Sequence, residues 1–278
     1  MGDDSRHAAH SSFADKVVVI NGGTQGLGEA SARLMTRRGA AGVVITGRSV
    51  ERGEALASEL TRLGTEALFL AVELEDADSV AEVIPMVDER FGRADVLVNA
   101  GALTDRGTIS STTVDAWDRF QAVNVRAPFQ LTQGAVALMR REAIAGSIVN
   151  IGSVVSYGGV PSLLPYAVSK AALTAFTKNV AYSVMRDRIR VNIINLGWMN
   201  TASEDIVQRK WEGAGDDWLE LASQQMPFGR IIETDEAARA ICYLASDESG
   251  LMTGATLDFD QSVVGAGVPT VPPEGEFG

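Results

Sequence analysis

Short, continuously apolar runs alternate with longer helical stretches along most of this chain. Runs such as Val17-Val18-Val19-Ile20 and Val96-Leu97-Val98 are apolar at every position, which is typical of strands whose two faces are both covered by helices. Seven such runs lie at residues 16–21, 42–46, 67–71, 95–99, 147–151, 190–195 and 256–258. The pattern predicts an α/β fold: a single doubly wound Rossmann-type domain with a seven-stranded parallel sheet and helices on both faces.

The segments outside this alternation set the predicted domain limits. A chain of 278 residues with 46% hydrophobic content suits one α/β domain better than two. We expect that domain over residues 15–262, with a disordered N-terminal tail over 1–14 and a Gly- and Pro-rich C-terminal tail over 263–278. Residues 197–230 are long, polar and outside the alternation, which predicts a lid over a substrate site.

Charge and composition disfavour several classes of partner. A formal net charge of -12 and a pI near 4.7 disfavour nucleic acids and anionic membranes, which bind basic surfaces. No apolar run approaches the ~20 residues of a membrane span. Cys242 is the single cysteine and the two histidines, His7 and His10, lie in the polar start of the chain. We therefore expect no disulfide, no metal site and a cytoplasmic protein that acts on a small molecule.

A glycine-rich turn joins the first predicted strand to the first predicted helix. Gly22, Gly26 and Gly28 allow a tight turn and a close approach of the backbone to a pyrophosphate. The following helix N-terminus adds free N–H groups and a partial positive charge. The Gly-x-x-x-Gly-x-Gly spacing differs from the commoner Gly-x-Gly-x-x-Gly, but its position between strand and helix predicts a dinucleotide site.

The turn after the second predicted strand bears on the choice of cofactor. An acidic side chain there binds the ribose 2′-hydroxyl of NAD and repels the 2′-phosphate of NADP. This chain has Gly47-Arg48-Ser49 instead, and the Arg48 guanidinium suits a phosphate. We expect NADP(H), with NAD(H) as the alternative if Arg48 is only a solvated loop residue. Gln25, where a second cation would help, weakens the case.

A hydroxyl, a phenol and an ammonium follow at defined offsets in the second half of the chain. Tyr166 and Lys170 lie on a predicted helix over 165–185, and the i, i+4 spacing places them on one face. A free tyrosine titrates near pH ~10, and a neighbouring cation lowers that pKa. Ser153 follows a predicted strand over 147–152, where its hydroxyl could hold a substrate oxygen. By itself a Tyr-x-x-x-Lys pair on a surface helix would be solvated.

These elements in this order resemble the classical short-chain dehydrogenase/reductase family, from about residue 16 to 260. The glycine turn, Asn99-Ala100-Gly101, Asn124, Ser153, Tyr166 and Lys170 carry the resemblance. It implies an oxidoreductase that interconverts a secondary alcohol and a ketone with a nicotinamide cofactor, assembled as a homotetramer. It also implies that Tyr166 is the general acid/base, that Lys170 holds the ribose and lowers the pKa of Tyr166, that Ser153 orients the substrate and that Asn124 positions a relay water.

The same resemblance implies two sets of ligand contacts. The cofactor would contact Gly22, Thr24, Gly26, Leu27, Gly28, Arg48, Ser49, Glu73, Leu74, Asn99, Ala100, Gly101, Tyr166, Lys170, Gly197, Met199 and Thr201. The substrate would contact Ser153, Val155, Tyr157, Val160 and Trp198, with Val154 close by. For Trp211 and Trp218, packing within the lid explains the residues as well as substrate contact does.

Four positions depart from the family pattern. Asn21 stands for the usual threonine, Val98 for the first asparagine, Glu73 for aspartate and Leu196 for the proline before Gly197. All four support loops or the cofactor, so they bear on loop geometry and cofactor affinity and remove no catalytic group.

Two questions stay open at the level of sequence. Residues 197–199 and 260–262 are similar to family members acting on sugars and polyols, whereas Val154, Val155 and Val160 suit a cyclic ketone. The alternative functions are a non-catalytic dinucleotide-binding regulator and a lyase or dehalogenase on the same scaffold. Tyr166, Lys170 and the intact glycine turn disfavour both alternatives.

Overall fold

The computed structural model describes residues 12–263, and seven parallel strands form its main sheet. Its strands are β1 (Val17–Asn21), β2 (Gly42–Gly47), β3 (Glu66–Ala71), β4 (Val96–Asn99), β5 (Ser147–Ser153), β6 (Arg190–Leu196) and, after a separate two-strand sheet described below, β9 (Thr256–Phe259). The order across the sheet is β3-β2-β1-β4-β5-β6-β9. The direction of winding reverses between β1 and β4, so the predicted doubly wound sheet is confirmed.

Helices cover both faces of this sheet. They are α1 (Gly26–Arg37), α2 (Val50–Arg62), α3 (Ala77–Ala81), α4 (Val83–Phe91), α5 (Val114–Gln121), α6 (Ala127–Arg141), α7 (Leu164–Val184), α8 (Ala202–Trp211), α9 (Trp218–Gln225) and α10 (Thr234–Ala245). Val18 and Ile20 of β1 pack into one hydrophobic core, and Val17 and Val19 pack into the other. Because successive side chains of a strand point to opposite faces, two covered faces require the continuously apolar strands seen in the sequence.

The folded part begins earlier than the sequence predicts. The Phe13 side chain is fully buried, its backbone N–H donates to Arg38 O at 3.1 Å, and Ala14 forms an antiparallel bridge with Ala40. An aromatic anchor at this point removes residues 13 and 14 from the predicted tail. Residues 1–11 and 264–278, which make up most of the two predicted tails, lie outside the described residues.

The predicted lid over residues 197–230 carries its own small core. β7 (Met199–Asn200) pairs in parallel with β8 (Ile232–Glu233), and α8 and α9 follow β7. The indole rings of Trp198 and Trp218 stack with their centroids 6.3 Å apart, and Trp218 packs against Ala222 and Ile231. The lid is therefore a packed unit at the carboxyl edge of the sheet. No helix within residues 12–263 has the length and apolar character needed to cross a membrane.

Candidate active site

One cavity of about 880 Å³ runs along the carboxyl edge of the sheet. Its walls come from the turn after β1, the ends of β2, β4, β5 and β6, the start of α7, and the lid. Ligands of open α/β sheets bind at this edge, where the strand order reverses. Ser153, Tyr166 and Lys170 all line this cavity, so the structure brings the predicted proton-transfer group together with the glycine turn.

The glycine turn is packed too closely for side chains. A Cβ added to Gly22, whose φ is +78°, would lie 2.5 Å from Gly101 N, and one added to Gly28 would lie 2.2 Å from Gly22 O. α1 begins at Gly26, directly on the cavity wall, so its first N–H groups border the open space. Bare backbone and a helix N-terminus are what a pyrophosphate binds, and this part of the cavity fits a dinucleotide.

Asn21, one of the departures from the family pattern, borders the same turn. Its Oδ1 accepts a hydrogen bond from Thr46 Oγ1 at 3.2 Å, which ties the ends of β1 and β2 together. Its Nδ2 has no partner among the described residues, although the residue is only 1% exposed and lines the cavity. A buried amide nitrogen without a partner costs free energy unless a ligand or a water accepts its hydrogen bond.

Both positive and negative side chains surround the end of the cavity beyond β2 and β3. Arg48 is exposed, borders the cavity and has no ion-pair partner within residues 12–263. Ser49 lines the cavity as well, and its Oγ caps α2 by accepting a hydrogen bond from Arg52 N at 3.4 Å. Glu73, Leu74 and Glu75 form the other side. Arg119 chiefly, and Arg48 to a smaller extent, lower the pKa of Glu75, so Arg48 lies within electrostatic reach of that carboxylate.

Tyr166 and Lys170 sit on successive turns of α7, as the predicted helix requires. The Lys170 side chain is almost fully buried, and its Nζ donates to Ile151 O at 2.7 Å and lies 5.6 Å from the centroid of the Tyr166 ring. Because burial disfavours the charged form, it lowers the pKa of Lys170 to about 8. At neutral pH most of the ammonium is still charged beside the phenol.

The pKa of Tyr166 moves in the direction opposite to the sequence prediction. Burial raises it to about 12, and the neighbouring Ser153 side chain opposes the rise only partly. Lys170 is not among the groups that shift this pKa, so its predicted lowering effect on Tyr166 stays a prediction.

Ser153 is the last residue of β5, which extends one residue beyond the predicted end at Gly152. Its Oγ makes two long hydrogen bonds, donating to Leu196 O and accepting from Val155 N, each at 3.4 Å. Hydrogen bonds of this length are weak, so the hydroxyl can still form a stronger hydrogen bond with a ligand in the cavity.

Two predicted site residues lie behind the wall instead of on it. Asn124 is fully buried in a π-helical turn (Ala122–Arg126) between α5 and α6; its Nδ2 donates to Leu103 O at 3.0 Å and its Oδ1 accepts from Leu103 N at 2.8 Å. It thereby fixes the loop that follows β4, and π-turns of this kind are frequent at functional sites. Asn99 is also buried, and its Nδ2 donates to Asn150 Oδ1 at 2.8 Å.

The other predicted cofactor contacts reach the cavity, and the predicted substrate contacts do so with one exception. Thr24, Leu27, Ala100, Gly101, Gly197, Met199 and Thr201 line it, as do Val154, Val155, Val160 and Trp198. Tyr157 does not: its hydroxyl donates to Asp258 Oδ1 at 2.9 Å and accepts from Asn195 Nδ2 at 3.3 Å. The substrate assignment of Tyr157 is therefore corrected, because the side chain is turned toward β9. Trp211 and Trp218 also lie outside the lining.

Sequence reasoning missed a set of polar residues on the substrate side of the cavity. Arg106, from the loop after β4, pairs with Glu204 and Glu212 of the lid, and Gln208 Nε2 donates to Glu204 Oε1 at 2.8 Å; all four residues line the cavity. Arg106 Nε donates to Glu212 Oε1 at 3.0 Å, across 106 positions of sequence. No motif marks these residues; only the polar character of the predicted lid pointed to them. Within residues 12–263, no group of three or more His, Cys, Asp or Glu side chains could hold a metal ion.

The fold and the cavity define a dinucleotide-binding enzyme with a half-buried tyrosine and a buried lysine at its reacting end. A family model described as "Enoyl-(Acyl carrier protein) reductase" matches residues 22–262. An uncharacterized oxidoreductase of Thermotoga maritima is 34% identical over 249 residues, which cover 89% of this chain and 97% of that one. The trans-4-hydroxycyclohexanecarboxylate dehydrogenase of Sinomonas cyclohexanicum is 34% identical over 253 residues, covering 89% of this chain and 92% of that one.

A further relative and a solved structure match the chain over nearly the same length. The 3-oxoacyl-[acyl-carrier-protein] reductase of Thermotoga maritima is 33% identical over 250 residues, covering 90% of this chain and 98% of that one. A solved short-chain dehydrogenase/reductase of Serratia marcescens superposes with a TM-score of 0.80 at 32% identity, covering 90% of this chain and 98% of that one. The chain belongs to the short-chain dehydrogenase/reductase family. It is an oxidoreductase that interconverts a secondary alcohol and a ketone.

Proposed function

We propose that this enzyme uses NADP(H) in preference to NAD(H), with Tyr166 as the general acid/base and a cyclic secondary alcohol as substrate. The observation that carries the chemistry is the convergence of Ser153, Tyr166 and Lys170 on the cavity that also holds the glycine turn. The bound nicotinamide supplies or accepts the hydride. The groups of this chain bind, orient and move the proton.

The proton transfer follows from the positions of three side chains. In oxidation, Tyr166 Oη takes the proton of the substrate hydroxyl as hydride leaves the carbon, and in reduction it returns the proton to the carbonyl oxygen. Ser153 Oγ, whose two protein contacts are long, turns to hydrogen-bond the substrate oxygen. The Lys170 charge, 5.6 Å from the ring, stabilises the phenolate as it forms.

The preference for NADP(H) is argued from the turn after β2. It offers Arg48 to the cavity and carries no carboxylate, and Arg52 of the first turn of α2 lines the cavity close by. A 2′-phosphate accepts charge-assisted hydrogen bonds from guanidinium groups, whereas a ribose hydroxyl gains much less from them. Glu73 and Glu75 across the cavity oppose this preference; Glu75 is already paired with Arg119 at 2.7 Å.

The test is a titration of the purified protein with NADPH and with NADH, followed by nicotinamide fluorescence, for the wild type and for Arg48→Ala. We expect NADPH to bind more tightly, and Arg48→Ala to weaken NADPH binding by about 10- to 100-fold, the value of one hydrogen bond to a charged group. NADH binding should barely change. Arg62→Ala, at the far end of the same helix, is the matched control. Equal affinities in the wild type, or an unaltered preference in Arg48→Ala, would refute the NADP(H) assignment.

The cyclic substrate is argued from the apolar wall after β5 together with the relatives. Val154, Val155 and Val160 line the cavity together with Ser153, and aliphatic side chains suit the face of a saturated ring. Two relatives, at 34% and 31% identity, are named dehydrogenases of trans- and cis-4-hydroxycyclohexanecarboxylate. Both observations support a ring-borne hydroxyl; the 3-oxoacyl-[acyl-carrier-protein] reductases, at 28–33% identity, support an open acyl chain as the competing substrate.

A homotetramer is the assembly we propose. α6 and α7 carry exposed apolar side chains: Phe129 packs edge to face against Phe176 with ring centroids 6.3 Å apart and is still 45% exposed, and Val168 and Tyr182 are exposed on the same long helix α7. A run of aromatic and aliphatic side chains on adjacent long helices is typical of a surface that pairs with another subunit.

A further inference from the structure

A polar cluster faces the reacting tyrosine from the substrate side of the cavity. Arg106 from the loop after β4 and Glu204 from the first turn of α8 both line the cavity. Both act electrostatically on Tyr166, since the Glu204 carboxylate raises the pKa of the phenol and the Arg106 guanidinium lowers it. Tyr166, Arg106 and Glu204 line the same cavity, so a substrate whose carbinol lies at Tyr166 shares that cavity with this ion pair.

Arg106 keeps hydrogen-bond donors for a ligand. Its Nε donates to Glu212 Oε1 at 3.0 Å and its Nη1 donates to Thr104 O at 3.2 Å. Its Nη2 lies 3.9 Å from Glu204 Oε1, which is too long for a hydrogen bond. A guanidinium carries five N–H groups, so three of them have no acceptor among residues 12–263. Because the side chain is only 16% exposed, those donors need a ligand or a water.

Glu204 supplies a fixed acceptor beside these donors. Its Oε1 accepts hydrogen bonds from Trp198 Nε1 at 2.9 Å and from Gln208 Nε2 at 2.8 Å. Its backbone N–H is capped by Thr201 Oγ1 at 3.0 Å. Oε2 makes no hydrogen bond with the described residues. The lid thus holds the carboxylate rigidly with one oxygen left for a ligand.

The charges of the cluster decide which ligand group fits. One guanidinium and the carboxylates of Glu204 and Glu212 leave the cluster with a net negative charge, so an anionic group on the substrate would be repelled. An apolar group would leave the donors and the acceptor unpaired, at about 1–3 kcal/mol for each group. A hydroxyl is both donor and acceptor and satisfies the two sides at once.

We propose that the substrate is a neutral polyhydroxylated compound, a diol or polyol on a ring, in which a second hydroxyl bridges Arg106 and Glu204. This inference rests on the proposed function and deepens it. The second hydroxyl donates to Glu204 Oε2 and accepts from the Arg106 guanidinium, while the reacting hydroxyl lies at Ser153 and Tyr166. Arg106 and Glu204 are then the residues that determine specificity.

The experiment measures the oxidation of cyclohexanol, the isomeric cyclohexanediols and trans-4-hydroxycyclohexanecarboxylate with the cofactor that binds. We expect the best diol to exceed cyclohexanol in kcat/KM by about 10- to 100-fold. Arg106→Ala and Glu204→Ala should each reduce this ratio toward one. Lys210→Ala is the matched control, since the Lys210–Asp105 pair at 3.4 Å joins the same two segments outside the cavity. A lid that is merely loosened would lower both rates together and leave the ratio unchanged.

The possible results distinguish failure of the polyhydroxyl assignment from failure of the proposed oxidoreductase function. Turnover of cyclohexanol without a diol preference, or a preference for the carboxylate that depends on Arg106, overturns the polyhydroxyl assignment alone. If none of the alcohols is oxidised while NADPH binds and the variants keep their thermal unfolding temperature, the proposed function itself is overturned.

Discussion

At the scale of single residues, the site depends on two titrating groups whose burial works against their charged forms. Tyr166 and Lys170 both lose solvation, which raises the pKa of the phenol to about 12 and lowers that of the ammonium to about 8. Burial that perturbs titratable groups in a cleft is typical of catalytic positions. Each shift has a measurable consequence.

The pH dependence of the two reaction directions should differ. Oxidation needs the Tyr166 phenolate, whose population rises about tenfold per pH unit below a pKa of about 12, so oxidation at saturating cofactor should keep accelerating from pH 6 to 8. Reduction needs the phenol and should stay nearly constant over the same range. Initial rates in both directions check this.

Tyr166→Phe is the companion variant, with a loss of about 10²- to 10⁴-fold in both directions. An oxidation rate that levels off below pH 7 would show that the bound cofactor restores the lowered pKa that the sequence predicts.

Lys170 should destabilise the protein without ligand at neutral pH. Its pKa falls from 10.5 unfolded to about 8 folded, so the unfolded state binds more protons. The penalty is complete below pH 8, on the order of 3 kcal/mol, and disappears as the pH rises to 10.5. Lys170→Met loses the hydrogen bond of a charged donor to Ile151 O, about 2 kcal/mol, and should still be more stable than wild type by about 1 kcal/mol at pH 7.

Urea denaturation at pH 7 and at pH 10 measures this difference, which should shrink at the higher pH. The same variant should lose catalysis, as expected where stability is given up for function. A less stable Lys170→Met protein at pH 7 would contradict the desolvation argument.

At the scale of elements, the turn from β1 into α1 depends on bare backbone. Gly28→Ala would place a Cβ 2.2 Å from Gly22 O, and backbone on both sides leaves no soft neighbour to move. We expect the variant to fold, because the turn lies beyond the carboxyl end of β1 and outside the hydrogen-bonded sheet. We expect it to lose most of its NADPH affinity. Nicotinamide fluorescence and circular dichroism test the two halves of this prediction.

Gly215→Ala, whose added Cβ would meet only Asp217 Oδ1 at 3.0 Å, is the control for a glycine in the lid. Undiminished NADPH binding by Gly28→Ala would show that the close packing of this turn is not needed for dinucleotide binding.

The elements also show what local sequence can and cannot reveal. The seven strands and α7 were predictable because each is continuous and apolar or periodic within a few residues, and Ser153, Tyr166 and Lys170 follow from their fixed offsets. β7 and β8 were not, since two residues give no pattern. The Tyr157–Asp258 contact spans 101 positions and the Arg106–Glu212 contact 106, so no local signal identifies them. The direction of the Tyr166 shift depends on burial by distant segments.

At the scale of the whole molecule, the exposed aromatic surface of α6 and α7 predicts association. Phe129→Glu should place an unpaired charge in the subunit contact and shift a tetramer to smaller species, as measured by light scattering across a range of protein concentrations. Val114→Glu is the control: Val114 is 73% exposed in the first turn of α5, where an acidic side chain is favourable. A wild type that is monomeric, or a variant with unchanged mass, would refute the tetramer.

The stacked tryptophans of the lid have an optical consequence. Trp198 borders the cavity and stacks on Trp218, whereas Trp117 and Trp211 lie outside the lining. Emission from the stacked pair should therefore be quenched, and in part transferred to a reduced nicotinamide, whenever the cavity fills. The unmodified protein thus carries its own reporter, and Trp198→Phe should remove most of the response while the emission of the other three indoles persists.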